Sequence, residues 1–293
     1  MYDKLTIIPA EQQATRINFP WQLTISTSSE LRKVYLHSHD FYELYFFLSG
    51  NARYIVENGN YSLRPGDLLL IPPHRLHQLD VLSSGERYSR IVLWINPTLV
   101  DSLGEGEINL SSCFDICDER KNYLLRDSKI SNRIKNTLER IESVQRSTPF
   151  GSQVEIKCLI TSVLLDLARF LKEDKNSLLR PEGNQMINNV LTYIDNHLKE
   201  DLTLEKLAKM NYVSKYYLAH LFKDNTKVSL HQFITKKRLA LSKSYLDLGL
   251  SAKQICQEVG IEDYCHFLKS FKKEYGITPK QYLKQVKDSK FTL

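Results

Sequence analysis

Between Trp21 and Val100 the chain runs in short apolar stretches broken by turn residues: "QLTIS", "FYELYFFLSG", "ARYIVENGN", "YSLRPGDLLLIPP" and "SRIVLWINP". Runs of Tyr, Phe, Ile and Val, punctuated at close spacing by Gly, Asn and Pro, predict antiparallel strands closed into a sandwich or barrel. After a polar stretch the period changes. Ile130, Ile134, Leu138 and Ile141 recur at helical spacing, as do Val154, Leu159, Val163, Leu167 and Phe170, which predicts two amphipathic helices with a break at "STPFGS". The charged segment "KEDKNSLLRPEGN" then reads as a linker, and everything after it as helix.

The helical third is closely punctuated. Ser229 with Gln232, Ser251 with Gln254, and Thr278 with Pro279 and Gln281 have capping-box spacing, in which two side chains satisfy each other's backbone donors at a helix start. Gly249, Gly260 and Gly276 stand where helices should stop. Two segments, "LTLEKLAKMNYVSKYYLAHLFK" and "LSAKQICQEVGIEDYCHFLKSFKK", repeat one plan: a short capped helix, a tight turn, and a second amphipathic helix ending in Phe and Lys.

Composition narrows the class. The chain has 293 residues, 42% hydrophobic and 25% charged, which suits two soluble globular domains. No apolar run reaches the roughly 20 residues of a membrane helix, and "MYDKLTIIPAEQQ" lacks the basic and apolar blocks of a secretion signal, so the expected location is the cytoplasm. Five scattered cysteines (Cys113, Cys117, Cys158, Cys256 and Cys265) include no CxxC pair and read as free thiols. The net charge is +6, yet residues 185–293 hold 18 Lys and Arg against 11 Asp and Glu. The basic excess lies wholly in the last third, where a polyanionic partner would be met.

A short helix, tight turn and second helix make the helix-turn-helix, whose second helix enters the DNA major groove. Along "SKYYLAHLFK", Leu218, Leu221 and Phe222 share one face, leaving Lys215, Tyr216, Ala219, His220 and Lys223 on the other. In the second copy Phe267 and Phe271 point inward, while Tyr264, Cys265, Leu268, Lys269 and Lys272 are assigned to the outer, DNA-contacting set. His220 and Lys269 can hydrogen-bond base edges or phosphates, the lysines favour phosphates, and the Ala219 methyl and Leu268 suit thymine methyl groups. A long helix from about Leu230 to Leu246 spans about 25 Å and would hold the two readers near one DNA turn apart.

These residues carry a resemblance. The last hundred or so residues resemble the DNA-binding domain of the AraC/XylS family of bacterial transcription regulators. Ile255, Gly260, Phe267, Phe271, Lys272, Gly276, Pro279 and Tyr282 fall in step with its second half, and Leu207, Ala208, Ser214, Leu218, Leu221, Phe222 and Arg238 with its first. The chain departs from the family at Ile261, Cys256 and Lys227, where Phe, Ala and Gly are usual; Lys227 is expected in a left-handed conformation.

The front half is similar to the cupin superfamily. His37, His39, Glu43 and Gly50 fit its first motif, and Gly66, Pro72 and His77 its second, with His74 where glycine is usual. In metal cupins the matching residues, here His37, His39, Glu43 and His77, surround a divalent ion; regulators of this type commonly keep the pattern without a catalytic metal, as part of an effector pocket. The effector candidates are therefore His39, Glu43 and His77 from the motifs and Arg90 from the strand faces, where Tyr45, Tyr54 and Trp94 are also available for recognition, with no metal or other cofactor called for.

The expected fold is α+β multidomain: a cupin-like β-barrel with trailing amphipathic helices, then an all-α domain with two helix-turn-helix motifs joined by a long helix. The expected units are residues 1–105 (effector domain), 106–173 (helical dimerisation and coupling region), 174–184 (linker) and 185–288 (DNA-binding domain). The apolar stripe of "ISNRIKNTLERIESV" either packs within its own domain or pairs with a copy of itself, and the resemblance favours the homodimer. Expected partners are double-stranded promoter DNA and a small-molecule effector, sugars being a common class among similar regulators, with RNA polymerase a further one and no membrane. Two other readings stand beside this non-enzymatic one: a metal-dependent cupin enzyme fused to a DNA-binding module, and a constitutive DNA-binding protein with a purely structural barrel.

Overall fold

The computed structural model describes residues 19–29, 31, 33–57, 59–82, 87–174 and 176–290, with only helix backbone beyond residue 284. The N-terminal stretch "MYDKLTIIPAEQQ" lies outside the described residues. Eight strands come first: β1 (Trp21–Ser28), β2 (Lys33–His37), β3 (Tyr42–Ser49), β4 (Ala52–Val56), β5 (Gly59–Ser62), β6 (Leu68–Ile71), β7 (His77–Val81) and β8 (Tyr88–Ile95). Helices α1 (Pro97–Leu103) and α2 (Ser112–Arg120), the short strand β9 (Leu124–Leu125), helices α3 (Ser128–Ser147) and α4 (Ser152–Glu173) and the short strand β10 (Leu178–Leu179) follow. The rest is helical: α5 (Gln185–Asn196), α6 (Leu204–Met210), α7 (Lys215–Thr226), α8 (Leu230–Asp247), α9 (Ala252–Val259), α10 (Tyr264–Tyr275) and α11 (Pro279–Lys290).

The strands form two antiparallel sheets, ordered β1-β8-β3-β6-β9-β10 and β2-β7-β4-β5. Strand β3 shows why they close on one another. Glu43 to Phe47 are all buried, because both faces of the strand are covered. Glu43, Tyr45 and Phe47 point toward the smaller sheet, where Tyr45 meets Tyr54, while Tyr42 on the opposite face meets Phe114 of α2 at 4.6 Å between ring centres. Helices thus roof the larger sheet.

Two expectations change here. The α3 stripe, Ile130, Ile134, Leu138, Ile141 and Val144, is buried against α4 and the sheet in one continuous core that runs from Leu23 to Leu178. It is spent inside its own domain, because five apolar side chains at helical spacing each gain about 2 kcal/mol by burial and the adjacent sheet offers the surface. Residues 106–173 are therefore not a unit separate from the barrel. The expected linker 174–184 is also shorter than its composition suggests: Leu178 and Leu179 pair with Leu125 and Leu124, and the Glu182 amide donates to Asn60 O at 2.7 Å.

The C-terminal third follows its punctuation. Both expected two-way boxes at Ser229/Gln232 and Ser251/Gln254 are formed, and Thr278 and Gln281 exchange the same pair of bonds. Helix α6 and α7 are joined through four residues, as are α9 and α10, and α7 and α10 each have 12 residues. Each half has its own core, one around Leu218, Phe222 and Phe233, the other around Ile255, Phe267 and Phe271. Gly260 closes α9 in a left-handed turn at φ 74°, and a Cβ there would lie 2.6 Å from Leu198 O. Arg238 ties α8 to the same loop, donating to Leu198 O and Glu200 O at 3.0 and 2.7 Å.

Candidate DNA interface and effector site

Helix α7 starts at Ser214, whose hydroxyl accepts the Tyr217 amide at 3.2 Å, and α10 starts at Asp263, whose carboxylate accepts the Cys265 and His266 amides. From these starts Lys215, Tyr216, His220 and Lys223 on α7 and Tyr264, Cys265, Lys269 and Lys272 on α10 are exposed, with Ala219 half-buried. Leu268 departs from expectation: it is half-buried and rests on the core of the second half, because its position beside Phe267 and Phe271 lies at the edge of their face. Lys227 adopts the expected left-handed conformation, with φ 64°. A groove runs beside each helix, one walled by Ala219, His220 and Lys223, the other by Tyr264 and His266, and the two share a floor of Asp201, His231, Thr235 and Arg238.

In the barrel, the structure brings His37, His39, Glu43 and His77 together and leaves Arg90 apart. The ring centres of His37 and His39 lie 4.1 and 4.7 Å from that of His77. Each ring is oriented the same way: Nδ1 donates to a backbone carbonyl, His37 to Tyr35 O, His39 to Phe41 O and His77 to Arg75 O, at 2.8 to 3.0 Å. The Nε2 atoms are left to converge. Those of His37 and His77 carry lone pairs, and burial first, then the neighbouring histidines, lower both groups, His77 to about 4. His77 Nε2 is buried without a hydrogen-bond partner.

Glu43 is the anchor of the cluster. Its carboxylate accepts from Trp94 Nε1 at 2.8 Å, from His39 Nε2 at 3.0 Å and from Tyr54 Oη at 3.1 Å. Burial alone would raise its pKa, but the bond and charge of His39 outweigh that and hold the carboxyl well below its ordinary range. Arg90 sits four positions before Trp94 on β8, about 13 Å along the strand, with its guanidinium 5.2 Å from the Tyr88 ring. Tyr88 touches Tyr45, which stacks edgewise on Tyr54, so a row of buried phenols separates Arg90 from the histidines.

The histidine set also fits an ion: the ligand atoms of His37, His39 and His77 lie within 4.8 Å of one another, and the donor type suits a first-row divalent metal. Sequence reasoning missed the partners of Glu43 as a group and the backbone carbonyls that turn each ring. Neither has a sequence signal beyond the strand register.

An AraC-like ligand binding domain matches residues 24–163, and a helix-turn-helix domain matches residues 207–285. The HTH-type transcriptional activator RhaS of Mannheimia succiniciproducens is 26% identical over 255 residues, covering 84% of this chain and 87% of that protein. The Msm operon regulatory protein of Streptococcus mutans is 23% identical over 256 residues, covering 85% and 86%. Among solved structures, ToxT from Vibrio cholerae O395 is 15% identical and is covered to 98% by 91% of this chain at a TM-score of 0.37. No helix among the described residues is long and apolar enough to cross a membrane. With a ligand-binding barrel in front and two helix-turn-helix units behind, the chain belongs to the AraC/XylS family of transcription regulators.

Proposed function

We propose that α7 and α10 enter successive major grooves of one promoter duplex and that a small molecule held by His39, Glu43 and His77 in the barrel controls that occupancy without undergoing reaction. The observation that carries the reading is the repeat itself: two capped 12-residue helices, each with exposed lysines, a phenol and an imidazole, His220 on α7 and His266 on α10. His220 reads a base edge, Ala219 and Leu268 contact thymine methyl groups, and Lys215, Lys223, Lys269 and Lys272 hold phosphates, with Tyr216, Tyr264 and Cys265 lining the same faces. The protein works in the cytoplasm as a homodimer that presents four such helices and meets RNA polymerase at the promoter. Because the apolar stripe of α3 is committed to its own core, the surface between copies is built from other side chains.

The chemistry at the histidine end favours an effector rich in hydrogen-bond donors. Lone pairs on His37 and His77 and the carboxylate of Glu43 repel an anion and attract hydroxyl or amino groups, which suits a polyol such as a sugar. Arg90, beyond the tyrosine row, serves only an effector that reaches past Tyr45 and Tyr54. A thermal-shift screen of the full chain against neutral sugars, polyols, amines and carboxylates tests this. Stabilisation by a neutral polyol or an amine that also changes DNA binding is the expected result, and a response confined to carboxylates would defeat it.

A second reading rests on the unpartnered His77 Nε2 and its converging neighbours. His37, His39 and His77, with Glu43 behind them, would hold a first-row divalent ion, which supplies a Lewis-acid point for an effector oxygen. In that case the proton on His39 Nε2 that is donated to Glu43 would leave as the ion enters.

A further inference from the structure

The barrel and the DNA-binding domain meet over an interface that buries charge. Lys237 of α8 is 6% exposed and Lys243 only 1%. The Lys237 ammonium is paired with Glu57, at the end of β4, and with Asp195 of α5. That of Lys243 lies 3.7 Å from Asp40 and sits over the rings of Tyr275 and Tyr282 at 4.8 and 5.2 Å. Lysines removed from water this completely are retained only where fixed partners compensate them.

The contacts fall on both helix-turn-helix units. Leu36 and Leu76 of the barrel belong to the core of the first, Glu57 holds Lys237, and Gln78 donates to Thr226 O at the end of α7 at 3.2 Å. On the second unit, Asp40 faces Lys243, and His74 Nε2 lies 3.6 Å from the Asp247 carboxylate. Successive residues of an extended segment point opposite ways. Leu36 and Asp40 therefore grip the helical domain while His37 and His39 between them face the barrel interior, and Leu76 and Gln78 do so on either side of His77.

Glu57 joins these two faces. It is a non-glycine residue at φ 50°, a conformation kept only where the surroundings hold it. Its amide donates to Leu76 O at 2.7 Å and its Oε1 accepts the Leu76 amide at 2.9 Å, one residue from His77, while Oε2 meets Lys237. We propose that the barrel is a clamp fixing the angle between the two reading helices, and that the Glu57–Lys237 pair is its latch, one peptide away from the histidine cluster. This rests on the two-reader reading above. Both reading faces stay exposed while the domains are docked, so the clamp does not hide them; it sets their mutual direction, and with it the effective concentration of the second reader once the first is bound.

The test uses the full chain and a duplex it selects from a random DNA library, with a second duplex in which the segment footprinted by α10 is scrambled. Glu57→Gln and Asp195→Asn each weaken one carboxylate facing Lys237, but only the first lies across the domain boundary. Glu57→Gln should lower affinity for the complete duplex about tenfold while moving the half duplex less than about twofold. Asp195→Asn should change both duplexes by the same factor. Equal effects of Glu57→Gln on the two duplexes, or none on either, overturn the clamp. Should Glu57→Gln fail to fold, Gln78→Ala and Asp40→Asn cut the interface at one point on each unit and must give the same preferential loss on the complete duplex. A wild-type chain that footprints only one segment overturns the two-reader reading and the clamp with it.

Discussion

The Arg126 guanidinium meets the Asp67 carboxylate through two hydrogen bonds of 2.7 Å, Nε to Oδ1 and Nη2 to Oδ2, and so pins the turn before β6 to the segment leading into α3. Asp67 is buried and also accepts the Arg64 amide, so removing the arginine leaves a carboxylate in a closed site. Arg126→Ala should destabilise the chain by about 3 kcal/mol, and Arg126→Lys should recover only part of that because an ammonium cannot form the fork. Urea titration followed by tryptophan fluorescence measures both; full recovery by lysine would contradict the role given to the paired geometry.

Leu138 decides where α3 belongs. Since its side chain is fully buried within one chain, Leu138→Ala should cost about 3 kcal/mol of stability and leave the mass measured by light scattering unchanged while the protein remains folded. A shift toward monomer at unchanged stability would return the stripe to an interface between copies.

His220 and Leu268 should separate reading from folding. His220 is exposed, so His220→Ala should weaken a selected duplex by about 1–3 kcal/mol relative to random DNA with no change in melting temperature. Leu268 rests on the second core, so Leu268→Ala should lower the melting temperature as well as the affinity. Equal losses of His220→Ala on selected and random DNA would assign that histidine to phosphate.

Cobalt(II) gives the histidine cluster a direct readout. If His37, His39 and His77 take a divalent ion, cobalt should produce visible absorption bands that vanish in His77→Ala and persist in His74→Ala, whose ring faces Asp247 instead. Identical spectra for the two variants would place the cobalt elsewhere.

Much of this architecture was legible because it is local. Caps, helix stops and the repeat are written in residues three to four apart, and the strand runs of the barrel are marked by their own turns. What sequence could not supply was distance between remote positions. Lys237 and Lys243 stand in a helix among Lys236 and Arg238 and read as ordinary solvated cations, yet their partners Glu57 and Asp40 lie some two hundred positions earlier. The α3 stripe announced burial without saying against what. Leu178 and Leu179 were hidden by the charged residues on either side, and two-residue strands have no period to detect. In the candidate site a motif marks His39, Glu43 and His77, whereas only its strand face marks Arg90, and register puts it at the far end of a tyrosine row.

The short pairing of Leu178 and Leu179, followed by the Glu182 amide on Asn60, has a mechanical result. The Ser62 hydroxyl also donates to the Glu182 carboxylate at 2.9 Å, and Asn184 already caps α5. Only Gly183 is left as leash, and two residues reach at most about 7 Å. The helical domain can rock about that pivot but cannot drift away from the barrel, so whatever signal passes between them must be spent as rotation rather than release.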